Sequence, residues 1–365
     1  MKQGKNLQDL AAEIMRQAET KRDFIAPTTM TVAKPVENGI ALEIGDKGEY
    51  PVGDIAHQQI ATHTGIPTKY YDKMRREAPE LLANNVNEWF KRYPAVRLNR
   101  TLDGRERANL SDKFQPFDNA DFAEAVLPIL ARRKLHVQSC EITEKRLYIK
   151  AVDEQLFRDV PVGYKMGDGS HKIFDTCAPA IILSNSEVGY GHLLAETGVY
   201  TQACTNLCLF AQGGMKRRHI GARHQLTDNL AAEDLDEILS SRTKQKIMEA
   251  VFLQIRDVVN SAFDERVIAK RVEQMAAAAN AKLPAGRVEK VMELVQERFT
   301  LSEGERSDVF KHLIEGGQLN QYGLSNAITR SAQDAEDYDR ATELEYLGGK
   351  VLELERKDWE VLAAE

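Results

Sequence analysis

The stretch AVRLNRTLDGRERANLS, residues 95–111, decides the fold. It contains two strand-like runs, Ala95–Thr101 and Arg105–Ser111, with Asp103-Gly104 between them. Asp-Gly is a strong signal for a two-residue hairpin turn, because glycine adopts positive φ without steric cost. The stretch therefore predicts an antiparallel β-hairpin, in which Arg97 shares one strand face with Asn99 and Thr101 while Leu98 and Arg100 share the other.

The residues that follow this hairpin predict a helix, a second hairpin and further strands. Asn119 is a favourable N-cap for a helix over 120–133, and a second hairpin is predicted over 135–152, with its turn near Thr143–Lys145. Leu147, Ile149 and Ala151 alternate and should share one face. The apolar runs 178–184 and 197–208 then indicate buried strands.

The residues that precede the hairpin are helical at first and then strand-like. Residues 6–22 have an amphipathic helical pattern, and Gly39–Ile44 alternates with Ile40, Leu42 and Ile44 inward. The whole order favours an α+β fold, with an N-terminal antiparallel β-sheet that carries packed helices on one side. A mostly α-helical C-terminal part should follow.

The charge distribution supports a division of the chain near residue 224. Residues 1–224 carry a net charge of +3, whereas residues 225–365 carry −10. We therefore predict an α+β core domain over 1–224 and a charged helical C-terminal region over 225–365, with helix breaks at Gly316-Gly317 and Gly348-Gly349. This asymmetry can accompany nucleic-acid binding by one part, although charge that only confers solubility is the commoner cause.

The hydropathy and cysteine content bear on the compartment. No apolar run approaches the roughly 20 residues that span a bilayer, and residues 1–17 do not have the pattern of a signal peptide. Four cysteines in 365 residues are too few for a disulfide scaffold. We therefore expect a cytoplasmic protein with free thiols and no membrane partner.

The sequence contains no recognisable catalytic signature. We find no phosphate-binding glycine loop, dinucleotide fingerprint, metalloprotease helix or nucleophile elbow. Four cysteines and eight histidines allow many nucleophile–base pairings, but none has a known local pattern. We expect a protein that is not an enzyme and needs no cofactor, with a hydrolase of unrecognised site as the alternative.

A helix-turn-helix pattern occupies residues 56–76. Ala61, Gly65 and Ile66 have the spacing that lets two helices pack through a tight turn, and Pro67 suits the start of the second helix. The second helix would read duplex DNA through its N-terminal residues. The alternative is an ordinary helical hairpin packed on the sheet.

A possible zinc site involves Cys204, Cys208, His219 and His224. Paired soft ligands a few residues apart can converge on zinc, but the central gap is shorter than in a zinc finger. Cys204 and Cys208 also fall in an apolar strand-like run, where buried structural cysteine is the simpler interpretation.

Two basic clusters could contact phosphates. The first hairpin and its flanks have a local charge of +4, and the segment 213–224 has +4 with no acidic residue. The candidate contacts are Arg97, Arg100, Arg105 and Arg107 in the hairpin, and Lys216, Arg217, Arg218 and Arg223 in the later segment. Tyr93, Phe114 and Phe117 flank the hairpin and could stack on bases, or else belong to the core.

Several longer segments carry a family resemblance. These are GIPTKYYDKM (65–74), VRLNRTLDGRERANLSDKFQPFDN (96–119), ILSNSEVGYG (182–191), YTQACTNLCLF (200–210) and GLSNAIT (323–329). Together they resemble the phage/plasmid-like protein family that is grouped as domain of unknown function 932 (DUF932). The resemblance implies a role on mobile genetic elements such as phages and plasmids. Where the family usually has Asn-Gly after its Cys-Thr, this chain has Asn206-Leu207-Cys208, so no role transfers to Cys208.

These observations lead to one functional hypothesis and two alternatives. We predict a homo-oligomeric protein that binds nucleic acid, specifically single-stranded DNA during annealing or recombination, through the eight basic residues above. The first alternative is a duplex-DNA regulator that uses 56–76. The second is a counter-defence protein whose charged helices bind a host protein.

Overall fold

The computed structural model describes residues 1–165, 171–202, 205–210, 214–217 and 241–364. The chain forms an α+β fold, in which antiparallel sheets precede a mostly helical C-terminal part. The helices are α1 (Leu7–Thr20), α2 (Asp54–Thr64), α3 (Thr68–Glu77), α4 (Pro79–Arg92), α5 (Asn119–Arg132), α6 (Ser241–Ala262), α7 (Glu265–Asn280), α8 (Val288–Phe299), α9 (Glu303–Gly316), α10 (Gln321–Ser331), α11 (Tyr338–Leu352) and α12 (Arg356–Ala364).

The strands form three antiparallel sheets, which confirms the predicted fold class. The strands are β1 (Arg22–Pro27), β2 (Thr31–Val36), β3 (Gly39–Ile44), β4 (Glu49–Pro51), β5 (Val96–Leu102), β6 (Arg105–Ser111), β7 (His136–Ile142), β8 (Leu147–Val152), β9 (Arg158–Lys165), β10 (His171–Asn185), β11 (Leu193–Thr201), β12 (Asn206–Leu209) and β13 (Met215–Arg217).

The predicted hairpin of residues 95–111 is present as β5 and β6. Asp103 and Gly104 connect the strands with φ of 51° and 74°, as a tight turn with two left-handed residues requires. Strand β1 pairs with β5 on the other side, so β5 is the centre of a three-stranded sheet. A register shift between Arg100 and Thr101 marks a β-bulge in this pairing.

The large sheet has the order β12-β11-β10-β8-β7, with β13 on β11 and β9 on β10. One face packs against α1, α5 and α6 and contains Ile149 and Ala151, as predicted from their alternation. The prediction that helices cover one side of the sheet is wrong. The intervening residues Tyr148 and Val152 pack on the other face against Tyr338 of α11, because this face of β8 is also buried and its charged residue, Lys150, pairs with Glu345 of α11.

The third sheet, β2-β3-β4, carries the helices α2, α3 and α4. Ile40, Leu42 and Ile44 are buried and belong to the same cluster as Ile60 of α2 and Val86 of α4. The inward alternation predicted for this strand is therefore confirmed. This unit places α2 directly beside β6, where the β5–β6 hairpin reaches the surface.

The C-terminal helices complete the core of the large sheet. Residue 224, the predicted domain boundary, lies outside the described residues, but α7, α10 and α11 pack directly on β9 and β12. Lys150 of β8 forms a buried ion pair of 2.6 Å with Glu345 of α11. Residues from both sides of the predicted boundary therefore share hydrophobic clusters.

The two glycine pairs behave differently. Gly317 ends α9 with φ of 68°, as predicted for a helix break. Gly348 and Gly349 instead lie inside α11, so the predicted break there is wrong. A β-carbon on Gly349 would lie 1.8 Å from the carbonyl oxygen of Leu209. Gly349 therefore lets α11 approach β12 closely, and Gly348 lets it approach Thr329 of α10.

No helix in the described ranges is long and apolar enough to cross a bilayer.

Candidate nucleic-acid interface

A cleft opens beside the β5–β6 hairpin. Its cavity volume is about 370 Å³, and its walls come from the hairpin, the start of α2 and the turn between β7 and β8. Four basic residues line it, namely Arg105, Arg107, Lys145 and Arg146, and we call it the basic cleft. Its other polar lining residues include Asp54, Asp103, Glu106, Asn119, Glu144 and Glu187.

Two of the five carboxyl groups that line the basic cleft are paired with arginines outside its lining. Arg75 donates to Asp54 at 2.6 Å and Arg16 donates to Asp103 at 2.8 Å. These hydrogen bonds hold the pKa of both carboxyl groups below the usual range, so the groups stay ionised and paired. The acids therefore do little to offset the cations at the mouth of the cleft.

Three cations lie at the mouth of the basic cleft. Arg105 and Lys145 are exposed, and Arg146 is half-buried with its Nε donating to the Tyr190 carbonyl at 2.8 Å. Within the described residues none of the three forms an ion pair. Glu144 also forms none, so the mouth presents three cations against one unpaired carboxylate. Such an excess attracts phosphate.

The floor of the basic cleft is more strongly buried. Arg107 forms a 2.6 Å ion pair with Glu187, whose side chain is 5% exposed and also accepts from the Asn119 backbone at 2.8 Å. Nε of Arg107 is buried and has no partner among the described residues. Burial raises the pKa of Glu106 well above its usual value, which favours the uncharged form of this carboxyl group.

The other two arginines of the hairpin have structural roles. Arg97 is half-buried, and its Nε donates to the side chain of Asn109 at 2.9 Å. Arg100 is completely buried and pairs with Asp23 at 2.9 Å and Asp118 at 2.7 Å. A phosphate outside the protein cannot reach its guanidinium group. Arg100 is therefore removed from the predicted phosphate contacts, because segments distant in sequence cover its side chain.

The second predicted cluster is described only in part. Lys216 lies in β13 and forms a 2.9 Å ion pair with the buried Glu196. The backbone of Arg217 pairs with Leu193 of β11. Arg218 and Arg223 lie outside the described residues. The structure thus brings Arg105 and Arg107 together in one cleft, while the contribution of the later segment stays a prediction.

The flanking aromatic residues have different environments. Tyr93 is 61% exposed and stacks on Trp89 with a centroid distance of 5.6 Å. Phe117 is buried in the core of the large sheet, where it cannot stack on a base. Phe114 is half-buried beside Tyr190, in a cluster that contains Val188 of the basic cleft. Tyr190 is also the residue whose carbonyl accepts from Arg146 of the basic cleft.

The helix-turn-helix pattern corresponds to α2 and α3, joined through Gly65 with φ of 69°. Lys69 and Lys73 are exposed on α3, and Met74 is buried against the third sheet. His57 of α2 is hydrogen-bonded to Tyr71 of α3 at 2.9 Å, and burial lowers its pKa to about 3. The two helices form a packed pair with a basic outer face.

Three of the four proposed zinc ligands lie outside the described residues, namely Cys204, His219 and His224. Cys208 is described and buried, with Sγ 3.9 Å from the Ser325 hydroxyl oxygen. No group of three or more candidate ligands in the described ranges is arranged to hold a metal ion.

The described thiols are poor nucleophiles at neutral pH. Burial raises the pKa of Cys177 and Cys208 to about 12 and that of Cys140 to about 11. We expect iodoacetamide at pH 7 to alkylate these three residues at least ~100-fold more slowly in the native protein than in guanidinium chloride. Site-resolved mass spectrometry measures the rates. Rapid native labelling of Cys208 would contradict its burial and revive a cysteine nucleophile.

Sequence reasoning missed Lys145 and Arg146. Both lie in the turn of the second hairpin, which was predicted near Thr143–Lys145, but the two hairpins had no visible relation in sequence. The available signal was two adjacent basic residues at a hairpin turn, which is common on any protein surface.

No family model, curated protein or solved structure matches this chain.

Proposed function

We propose that this protein binds single-stranded nucleic acid in the basic cleft. The observation that carries the proposal is the convergence of Arg105, Lys145 and Arg146, without acidic partners among the described residues, around one concave cavity. Cations in this arrangement neutralise successive phosphates and release counterions. The half-buried Phe114 and Tyr190 nearby offer ring faces for base stacking.

The concave shape favours a single strand over a duplex. Duplex readers insert a helix or a two-stranded ribbon into the major groove, which needs a convex element. In the basic cleft the cations instead surround a cavity of about 370 Å³ between two hairpins. On this basis we propose DNA annealing or recombination on a mobile genetic element as the biological role, in agreement with the family that the sequence resembles, and a homo-oligomer as the working form.

The test compares two double variants with the same charge change. Arg105→Gln/Lys145→Gln removes two exposed cations of the basic cleft, and Lys69→Gln/Lys73→Gln removes two from α3. Fluorescence anisotropy with a labelled single strand and its matched duplex, at several salt concentrations, measures affinity. For the first variant we expect about tenfold weaker single-strand binding and a salt slope smaller by about 1.4, since each lost phosphate contact removes about 0.7.

Each result of this comparison has a defined meaning. Unchanged binding in the cleft variant, together with weaker duplex binding in the α3 variant, would reject the cleft and support duplex recognition by α2 and α3. That second candidate is favoured by the exposed Lys69 and Lys73 on a helix that follows a tight turn. Absence of binding to either nucleic acid at low salt would exclude both proposed DNA-binding functions. A protein partner would then be the remaining hypothesis.

A further inference from the structure

A second polar cavity lies between β12 and the helices α9 and α10. Its volume is about 410 Å³, and it shares no lining residue with the basic cleft. The polar lining consists of Thr205, Asn206, His312, Glu315, Gln318, Asn326 and Arg330, and we call it the amide pocket. It joins two segments that the sequence analysis singled out, YTQACTNLCLF and GLSNAIT, which are more than a hundred residues apart.

The wall formed by β12 is held in one conformation. Asn206 is 2% exposed, its Nδ2 donates to the Asn326 carbonyl at 3.1 Å, and its Oδ1 accepts from Gln333 at 2.9 Å. Thr205 has φ of 50°, a left-handed conformation that is unfavourable for a β-branched residue. Unfavourable backbone of this kind concentrates at ligand sites, where the surroundings impose it.

Gln318 is the residue that points to a ligand. It is 6% exposed and lines the amide pocket, and its Oε1 is buried with no hydrogen-bond donor among the described residues. A buried amide oxygen without a donor is unfavourable, and an apolar side chain would avoid the cost. The backbone here is also closely packed, since a β-carbon on Gly323 would lie 1.9 Å from the Gln318 carbonyl oxygen.

One cation at the rim, Arg330, can hold an anionic group. Arg330 is exposed and donates to the Gln333 side chain, but among the described residues it meets no carboxylate. His312 lies 3.4 Å from Asp334 and 3.7 Å from Glu315, so the acids at this rim are directed to the histidine and not to Arg330. The pocket thus combines an amide-bearing interior with a guanidinium group that forms no ion pair among the described residues, and Glu315 lies in the same lining.

We propose that the amide pocket binds a mononucleotide. Gln and Asn amides pair with the donor and acceptor edge of a nucleobase, and a guanidinium group binds phosphate through two parallel hydrogen bonds. The base would lie against Gln318 and the phosphate on Arg330. The volume of about 410 Å³ lies in the range of small-ligand sites. This proposal is independent of strand binding in the basic cleft.

The test is isothermal titration calorimetry of the full chain with AMP, GMP, CMP and UMP, and separately with adenosine and inorganic phosphate. We expect at least one nucleotide to bind with a Kd below about 1 mM. Arg330→Gln should weaken that nucleotide by about tenfold and leave the nucleoside unaffected. Gln318→Leu should remove the discrimination among bases, and Lys290→Gln on α8, outside the pocket, should change neither.

Three outcomes would overturn the proposal: no nucleotide binds, inorganic phosphate binds as tightly as the best nucleotide, or Arg330→Gln and Lys290→Gln have equal effects. Arg330 is exposed, so its variant is expected to fold even if Gln318→Leu does not. Single-strand affinity of Arg330→Gln, measured by anisotropy, should equal that of the parent protein. This separates failure of the amide pocket from failure of the basic cleft.

Discussion

Replacing Gly349 by alanine is expected to lower the free energy of unfolding by about 4 kcal/mol or more, which places it among the most damaging single substitutions. The added β-carbon would lie 1.8 Å from the carbonyl oxygen of Leu209 and 2.8 Å from its carbonyl carbon. These are backbone atoms of β12, so no side-chain rotation relieves the overlap. Helix α11 must move away from the sheet, and the hydrophobic cluster that contains Leu209 and Tyr338 opens. Urea denaturation followed by circular dichroism measures the change.

Two matched glycine variants test this explanation. A β-carbon on Gly348 would meet a side-chain atom, Cγ2 of Thr329, at 2.3 Å. Thr329→Ser removes that methyl group and should recover much of the stability lost in Gly348→Ala. Gly304→Ala, in the first turn of α9, meets only the Ser302 hydroxyl oxygen at 4.0 Å and should be neutral or slightly stabilising. A harmless Gly349→Ala would show that α11 does not approach β12 this closely.

Lys150→Met is expected to destabilise the protein by roughly 3–5 kcal/mol, because it leaves the Glu345 carboxylate buried without its cation. The two side chains are 1% and 0% exposed, and Nζ lies 2.6 Å from Oε2. Nζ also lies 4.3 Å from the ring centroid of Tyr338, which adds a cation–π contact. The second carboxylate oxygen of Glu345 has no partner among the described residues, so Lys150 is its main compensation.

The double variant Lys150→Met/Glu345→Leu distinguishes charge pairing from packing. Removing both charges leaves an apolar contact of similar volume, and most of the lost stability should return. A double variant as unstable as the worse single variant would show that the pair does not act as a unit.

Local patterns were predicted correctly where neighbours in sequence decide the outcome. The Asp103-Gly104 turn depends on φ values that these two residues adopt readily, and the inward alternation of Ile40, Leu42 and Ile44 depends on the two-residue period of a strand. The misassigned break at Gly348-Gly349 shows the limit of this reasoning. Glycine weakens a helix in isolation, but here it lets α11 contact β12, and only the packed structure reveals that contact.

The sequence predicted two of the four basic residues that line the basic cleft. Arg105 and Arg107 were chosen from the charge of one hairpin, and the structure places both in the cleft. Lys145 and Arg146 could not be assigned to the same site, since their distance from the hairpin depends on how the two sheets pack. The amide pocket likewise depends on the contact between β12 and α10, whose segments are distant in sequence.

The sequence by itself determined the fold class, the hairpins and the apolar faces of the strands, because turn chemistry and side-chain period act over a few residues. The tertiary structure alone decided which charges face solvent. Arg100 and Arg105 belong to one hairpin, yet Asp23 and Asp118 enclose the first, while the second opens onto the basic cleft. The physical reason is that the burial of a charge depends on its partners and its distance from water, and both are fixed by segments far away in the chain.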